Sequence, residues 1–146
     1  MKQEKLQRIL QGSGLKATRQ RLDVLGELER ADKPVSAEEL YLHLRGAGGG
    51  INLSTVYRVL DALSACGIAH AVRPVGSDKA LFELVGDEHR HYLVCTSCRR
   101  MQAVGHCPLE SFEELVAREN GFVVTGHRLD IYGICPDCRQ KDSQGV

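Results

Sequence analysis

Two CxxC pairs, Cys95/Cys98 and Cys135/Cys138, restrict this chain more than any other feature. Two thiolate pairs of that spacing can close around one tetrahedral Zn²⁺ of the structural kind. Unrelated buried thiols would not arrive as two pairs in one short segment. A dithiol redox motif needs a single pair and would leave the other without a role. A rubredoxin-like iron site matches the ligands, but nothing else in the chain points to electron transfer. The four cysteines therefore predict a structural zinc. Cys66 falls on the apolar face of a helical pattern and reads as core, and Cys107 has no assigned role.

A second, softer set lies among them: His89, His91, Glu110 and His127. His89 and His91 alternate along a strand pattern and so point to one face, as two ligands of one ion must. Glu110 opens the following helix and His127 precedes the last long strand. Singly, each reads as a surface residue. Together, three imidazoles and a carboxylate make an N₃O site for a second metal. A zinc hydrolase built on His89, His91 and His127 is the rival reading. Against it, no general base or nucleophile stands out, and a protein carboxylate fills the position catalysis needs open.

The 146 residues admit one ordinary domain or two small ones. Hydrophobic residues make up 42%, with three Phe, four Tyr and no Trp, so the cores are mostly aliphatic. Net charge is zero, and no global basic field advertises nucleic acid. Residues 1–84 carry twelve Lys/Arg against ten Asp/Glu, and residues 85–146 carry seven against nine, a weak asymmetry. The first residues are charged and periodic, with no apolar signal core, and no later stretch has membrane-span length. A cytoplasmic protein is expected, where CxxC pairs bind metal rather than form disulfides. No internal repeat or low-complexity tract is present.

The N-terminal half is helical. Leu6, Ile9 and Leu10 form a short amphipathic turn that stops at Gly12 and Gly14. Leu22, Val24, Leu25 and Leu28 give a second stripe. Ser36-Ala37-Glu38-Glu39 is a capping box, with Val35 and Leu40 as its hydrophobic staple. Residues 54–66 place Val56, Val59, Leu60, Leu63 and Cys66 on one face, with Ser54, Tyr57, Arg58 and Asp61 opposite and Gly67 as the stop. Ile68–Val75 and Lys79–Leu84 follow as strands joined at Gly76-Ser77-Asp78. Helices followed by a hairpin is the order of a winged helix-turn-helix, in which the 54–66 helix enters the major groove. Arg58 suits a guanine edge and Tyr57 a thymine methyl. A merely solvated helix face explains the same periodicity equally well.

Beyond Val85-Gly86-Asp87-Glu88, a polar hinge, the C-terminal half reads as α/β. His91–Val94 and Met101–Val104 are strands flanking the first CxxC. Pro108 opens a helix carrying Leu109, Phe112, Leu115 and Val116, which ends at Asn120-Gly121. Phe122–Thr125 and Arg128–Ile134 are further strands. At about 60 residues this half is marginal on its own core, a physical reason for a structural zinc and for dimerisation through the sheet.

These stretches resemble the Fur family of metal-responsive bacterial repressors over nearly the whole chain. The carrying segments are Gly14–Arg21, Ser36–Tyr41, Ser54-Thr55-Val56-Tyr57-Arg58-Val59-Leu60, Gly67-Ile68, His89–Cys98, Gly121-Phe122, His127 and Gly133–Cys138. The resemblance implies an α+β protein: a winged-helix DNA-binding domain over 1–84, a hinge over 85–88, and a metal-binding α/β dimerisation domain over 89–146. A homodimer would bind a palindromic double-stranded operator when metallated. Ser54, Thr55, Tyr57 and Arg58 would face DNA from the recognition helix, and Lys16 would reach the minor groove. Cys95, Cys98, Cys135 and Cys138 match the family's structural zinc site. His89, His91, Glu110 and His127 match its regulatory site nearer the dimerisation domain. No membrane and no small organic ligand are expected.

This chain departs from the family where a further site is often built. Lys33/Pro34 and Tyr92 stand in place of histidines, and only Glu83 remains, with His70 as a possible new partner. Sensing then falls to the His89 site. Iron-sensing members often carry an aspartate where this chain has His91, and the imidazole softens the site toward Zn²⁺ over Fe²⁺ or Mn²⁺. Zinc-responsive repression is therefore expected ahead of iron-responsive repression, with peroxide sensing behind both.

Overall fold

The computed structural model describes residues 2–74, 77–86 and 90–144. The chain divides into two compact units, Met1–Gly86 and Asp87–Val146.

In the first unit the elements run α1 (Lys2–Gly12), α2 (Arg19–Arg30), α3 (Ala37–Gly46), α4 (Leu53–Ala65), β1 (Ala69–Val72) and β2 (Leu81–Leu84). Side chains start the helices. Thr18 Oγ1 accepts the Arg21 amide, Ser36 Oγ the Glu39 amide and Asn52 Oδ1 the Thr55 amide, each satisfying an otherwise unpaired N–H of a first turn. Gly67, at φ 79, supplies the left-handed residue that ends α4 at low steric cost. The apolar stripes close on one core. Leu10, Val24, Leu25, Leu40, Val56, Leu60 and Leu63 are almost wholly inaccessible, and Cys66 packs at its edge. β1 and β2 pair antiparallel, Ala69 opposite Leu84 and Val72 opposite Leu81, and a bridge from Val35 to Phe82 ties the strand pair to the start of α3. Helices followed by this two-stranded wing make a winged helix. Val75 and Gly76, expected to complete the first strand and open its turn, lie outside the described residues.

The second unit contains β3 (His91–Cys95), β4 (Met101–Val104), α5 (Glu110–Asn120), β5 (Asp130–Gly133) and α6 (Pro136–Gln144). Its sheet has the order β4-β3-β5, with β3 antiparallel to β4 and parallel to β5. Gly121, at φ 69, closes α5. One expectation fails here, and one element was not anticipated. Phe122–Thr125 forms no strand: this sheet gives it no ladder partner, and Phe122 and Val123 are left 72% and 89% exposed. Residues 136–144 form a helix that the spacing of apolar residues did not announce. Pro136 at its first position is preorganised for a helix start.

Candidate metal centres and nucleic-acid surface

The four CxxC cysteines come together. Cys95 ends β3, Cys98 follows in the turn, Cys135 follows β5, and Cys138 lies in the first turn of α6. Their sulfurs all lie within 4.8 Å of one another. The parallel β3–β5 ladder, Cys95 opposite Gly133, is what delivers one knuckle to the other. Cys98 Sγ and Cys135 Sγ are 3.7 Å apart, and the Cys98 and Cys135 amides donate to Cys95 Sγ at 3.5 and 3.3 Å. Those N–H groups hold the Cys95 thiol down at about 6, whereas the neighbouring Cys135 and Cys98 sulfurs push Cys138 up to about 12. Arg100 pairs with Asp137 at 3.0 Å and links the two knuckles across the surface. Four convergent sulfurs fit a tetrahedral Zn²⁺ closed to solvent chemistry.

The second cluster is His91, Cys107 and His127. His91, at the start of β3, is buried; Cys107, in the link between β4 and α5, and His127, before β5, are half-buried. The two Nε2 atoms are 2.9 Å apart, and each lies 3.3 Å from Cys107 Sγ. The rings stack with centroids 4.8 Å apart. Their other nitrogens are engaged: His91 Nδ1 meets the Leu129 carbonyl at 3.1 Å, and His127 Nδ1 meets Glu113 Oε1. A carbonyl or carboxylate on Nδ1 fixes the tautomer that leaves Nε2 able to bind a metal.

Of the four residues expected at this second site, the structure brings His91 and His127 together. His89 lies outside the described residues. Glu110 is exposed in the first turn of α5, and its carboxylate is not part of the cluster. Among the described residues, Cys107 and Glu113 lie beside the rings. Cys107 stands three residues before Glu110, and Glu113 one helical turn after it. Spacing alone did not distinguish which of them the turn into α5 would aim at the histidines.

On the first unit, α4 buries Val56, Val59, Leu60 and Leu63 and exposes Tyr57, Arg58 and Ser54, while Thr55 is half-buried. The Ser54 hydroxyl donates to Asn52 Oδ1 at 2.8 Å, so it serves the helix start. Lys16 is exposed in the link before α2, its carbonyl accepting from Arg21 at 3.0 Å. The Tyr57 hydroxyl donates to Glu38 Oε1 at 2.8 Å, and Lys79 lies 3.9 Å from the other carboxylate oxygen. The Tyr57 hydroxyl is the main cause holding the Glu38 carboxyl below its usual range, and Glu38 in turn raises the Tyr57 phenol. Glu83 pairs with His70 across the wing at 2.8 Å, and among the described residues no third donor joins them in a metal-binding group.

A winged helix with an exposed polar face on its fourth helix, followed by a sheet that gathers two sets of candidate metal donors, is the architecture of a metal-dependent DNA-binding regulator of transcription. The model of the Ferric uptake regulator family matches residues 12–132, and the chain belongs to that family. It is 35% identical over 133 residues to the ferric uptake regulation protein of Neisseria gonorrhoeae, covering 90% of this chain and 92% of that protein. Its fold is similar to the ferric uptake regulator of Vibrio cholerae, with a TM-score of 0.77 and 35% identity over 88% of this chain and 98% of that one. The manganese-bound ferric uptake regulator of Pseudomonas aeruginosa gives a TM-score of 0.78 at 30% identity, covering 90% and 98%. Among the described residues, no helix is long and apolar enough to cross a membrane.

Proposed function

We propose that this protein is a cytoplasmic, zinc-responsive repressor that binds palindromic operator DNA as a homodimer once its regulatory site is metallated. The observation that carries the reading is the meeting of His91 and His127, each oriented through Nδ1 so that Nε2 can bind metal. An imidazole at residue 91 favours Zn²⁺ over Fe²⁺ and Mn²⁺, which lie lower in intrinsic affinity. His89, next to the boundary between the units, is assigned to the same ion from the family resemblance. Glu110 is not retained in the set, since its carboxylate stands apart from the cluster.

The DNA surface in this reading is α4, with Tyr57 and Arg58 reaching base edges, Thr55 and Ser54 at the helix start, and Lys16 reaching the minor groove. The dimer is supported by apolar side chains left exposed on the second unit, among them Phe112, Phe122, Val123, Ile131 and Tyr132. Metal acts by linkage: it favours the DNA-matched arrangement only by binding that arrangement more tightly.

Iron-responsive repression is the competing reading, because the relatives are named ferric uptake regulators. Fluorescence anisotropy on a palindromic operator separates the two. Protein retaining its Cys₄ zinc is titrated with buffered Zn²⁺ and, anaerobically, with Fe²⁺. Activation at trace free zinc with iron ineffective is the expected result; activation by iron alone overturns the metal assignment. His127→Ala should abolish the metal response while leaving a folded dimer that still contains the Cys₄ zinc, and a retained response removes the site assignment.

A further inference from the structure

Cys107 has no place in the donor set that the family resemblance implies, yet among the described residues its sulfur completes a group of metal-donor atoms with His91 and His127. We infer that Cys107 is a thiolate ligand of the regulatory metal, making the site His₂Cys in place of the expected carboxylate at Glu110. The inference rests on the proposed sensing role of His91 and His127 and deepens it by naming the third donor and the class of ion.

Three observations support the assignment. The donor–donor separations of 2.9, 3.3 and 3.3 Å are close to the edges of one face of a small coordination tetrahedron. Metal–nitrogen bonds of about 2.0 Å and metal–sulfur bonds of about 2.3 Å give edges of roughly 3.3–3.5 Å. Both rings are turned so that Nε2, the atom facing the sulfur, is the one able to bind metal, because Leu129 O and Glu113 engage the Nδ1 atoms. The Leu109 amide lies 3.4 Å from Cys107 Sγ and is placed to donate to it, which suits a sulfur carrying negative charge.

The alternatives fit less well. Glu113 already engages His127 Nδ1, on the far side of that ring from the sulfur. Glu110, exposed in the first turn of α5, would have to move to reach the rings. A thiolate with two neutral imidazoles is a borderline-soft set that takes Zn²⁺ or Co²⁺ and disfavours Mn²⁺ and Fe²⁺. The three donors lie on β3, the β4–α5 link and the segment before β5, so all belong to the second unit. Glu113 is a positioning residue for His127.

Cobalt absorption tests this directly in the full-length protein, with retention of the Cys₄ zinc checked by metal analysis. Co²⁺ added to the emptied regulatory site should give a near-ultraviolet sulfur-to-cobalt charge-transfer band. Cys107→Ser should lose that band while keeping the weaker visible bands of nitrogen-bound cobalt, and Glu110→Gln should keep both. Zinc competition should show affinity reduced about 10–100-fold by Glu113→Gln, the usual effect of removing the partner of a ligating histidine.

If Cys107→Ser leaves the charge-transfer band unchanged while His127→Ala abolishes cobalt binding, the thiolate assignment is wrong and the sensing site stands. If His127→Ala also leaves cobalt binding unchanged, the site itself is wrong. Wild-type protein that binds cobalt at the regulatory site without any charge-transfer band would have no thiolate on the ion and would overturn the inference.

Discussion

The Tyr57 hydroxyl spends its proton on Glu38, a residue of a different helix, so the face of α4 expected to read DNA is set partly from α3. With the hydroxyl engaged, the ring edge is what remains for a thymine methyl. Tyr57→Phe keeps that edge and loses only a solvent-exposed bond to the Glu38 carboxylate, so it should bind the operator within about two-fold of wild type. Glu38→Ala should lower discrimination between thymine and deoxyuridine at the contacted step, and Glu38→Gln, which keeps an acceptor, should restore it. Unchanged discrimination in Glu38→Ala would mean the contact is incidental. Because Tyr57 holds the Glu38 carboxyl below its usual range, the ionised form is the bonded one. Its contribution to stability is present above the usual carboxylate pKa and is lost as pH falls through the lowered value, which thermal melts of wild type and Glu38→Gln would resolve.

Among the elements, α4 depends on two separable things, its buried stripe and its Asn52 cap. Asn52→Ala removes the acceptor for the Thr55 amide and for Ser54, and should cost about 1 kcal/mol by chemical denaturation. Leu63→Ala, at a fully buried position, should cost about 2–5 kcal/mol. The first unit was legible because each of its helices combines an apolar stripe with a start or stop signal, so that local preference and packing agree. The second unit was read less well where neither signal operates. α6 is polar along almost its whole length and buries the Cys138 side chain, so apolar periodicity had nothing to report. Phe122–Thr125 has strand composition, but composition cannot supply a neighbouring strand. At the second cluster, His91 and His127 were picked out by residue type, whereas the backbone path between β4 and α5 sets Cys107 rather than Glu110 beside them.

At the scale of the whole molecule, strand β3 matters most. It carries His91 as its first residue and Cys95 as its last, roughly 13 Å apart at about 3.3 Å per residue. One short strand thus belongs to both sets of metal donors, in a unit whose apolar core is small. Cys135→Ser should therefore lose both ions and much of the second unit's structure, as read by metal analysis and circular dichroism. His127→Ala should lose only the regulatory one. If so, the dependence runs one way and would impose a sequence of events on a newly made chain: the first ion would build the frame on which the second can be weighed. On the proposed reading, a molecule that has never acquired its first ion would give the same output as one starved of its second, namely an unoccupied operator. Faulty assembly would then default, on the same reading, to continued metal uptake, the error that tends to supply its own remedy.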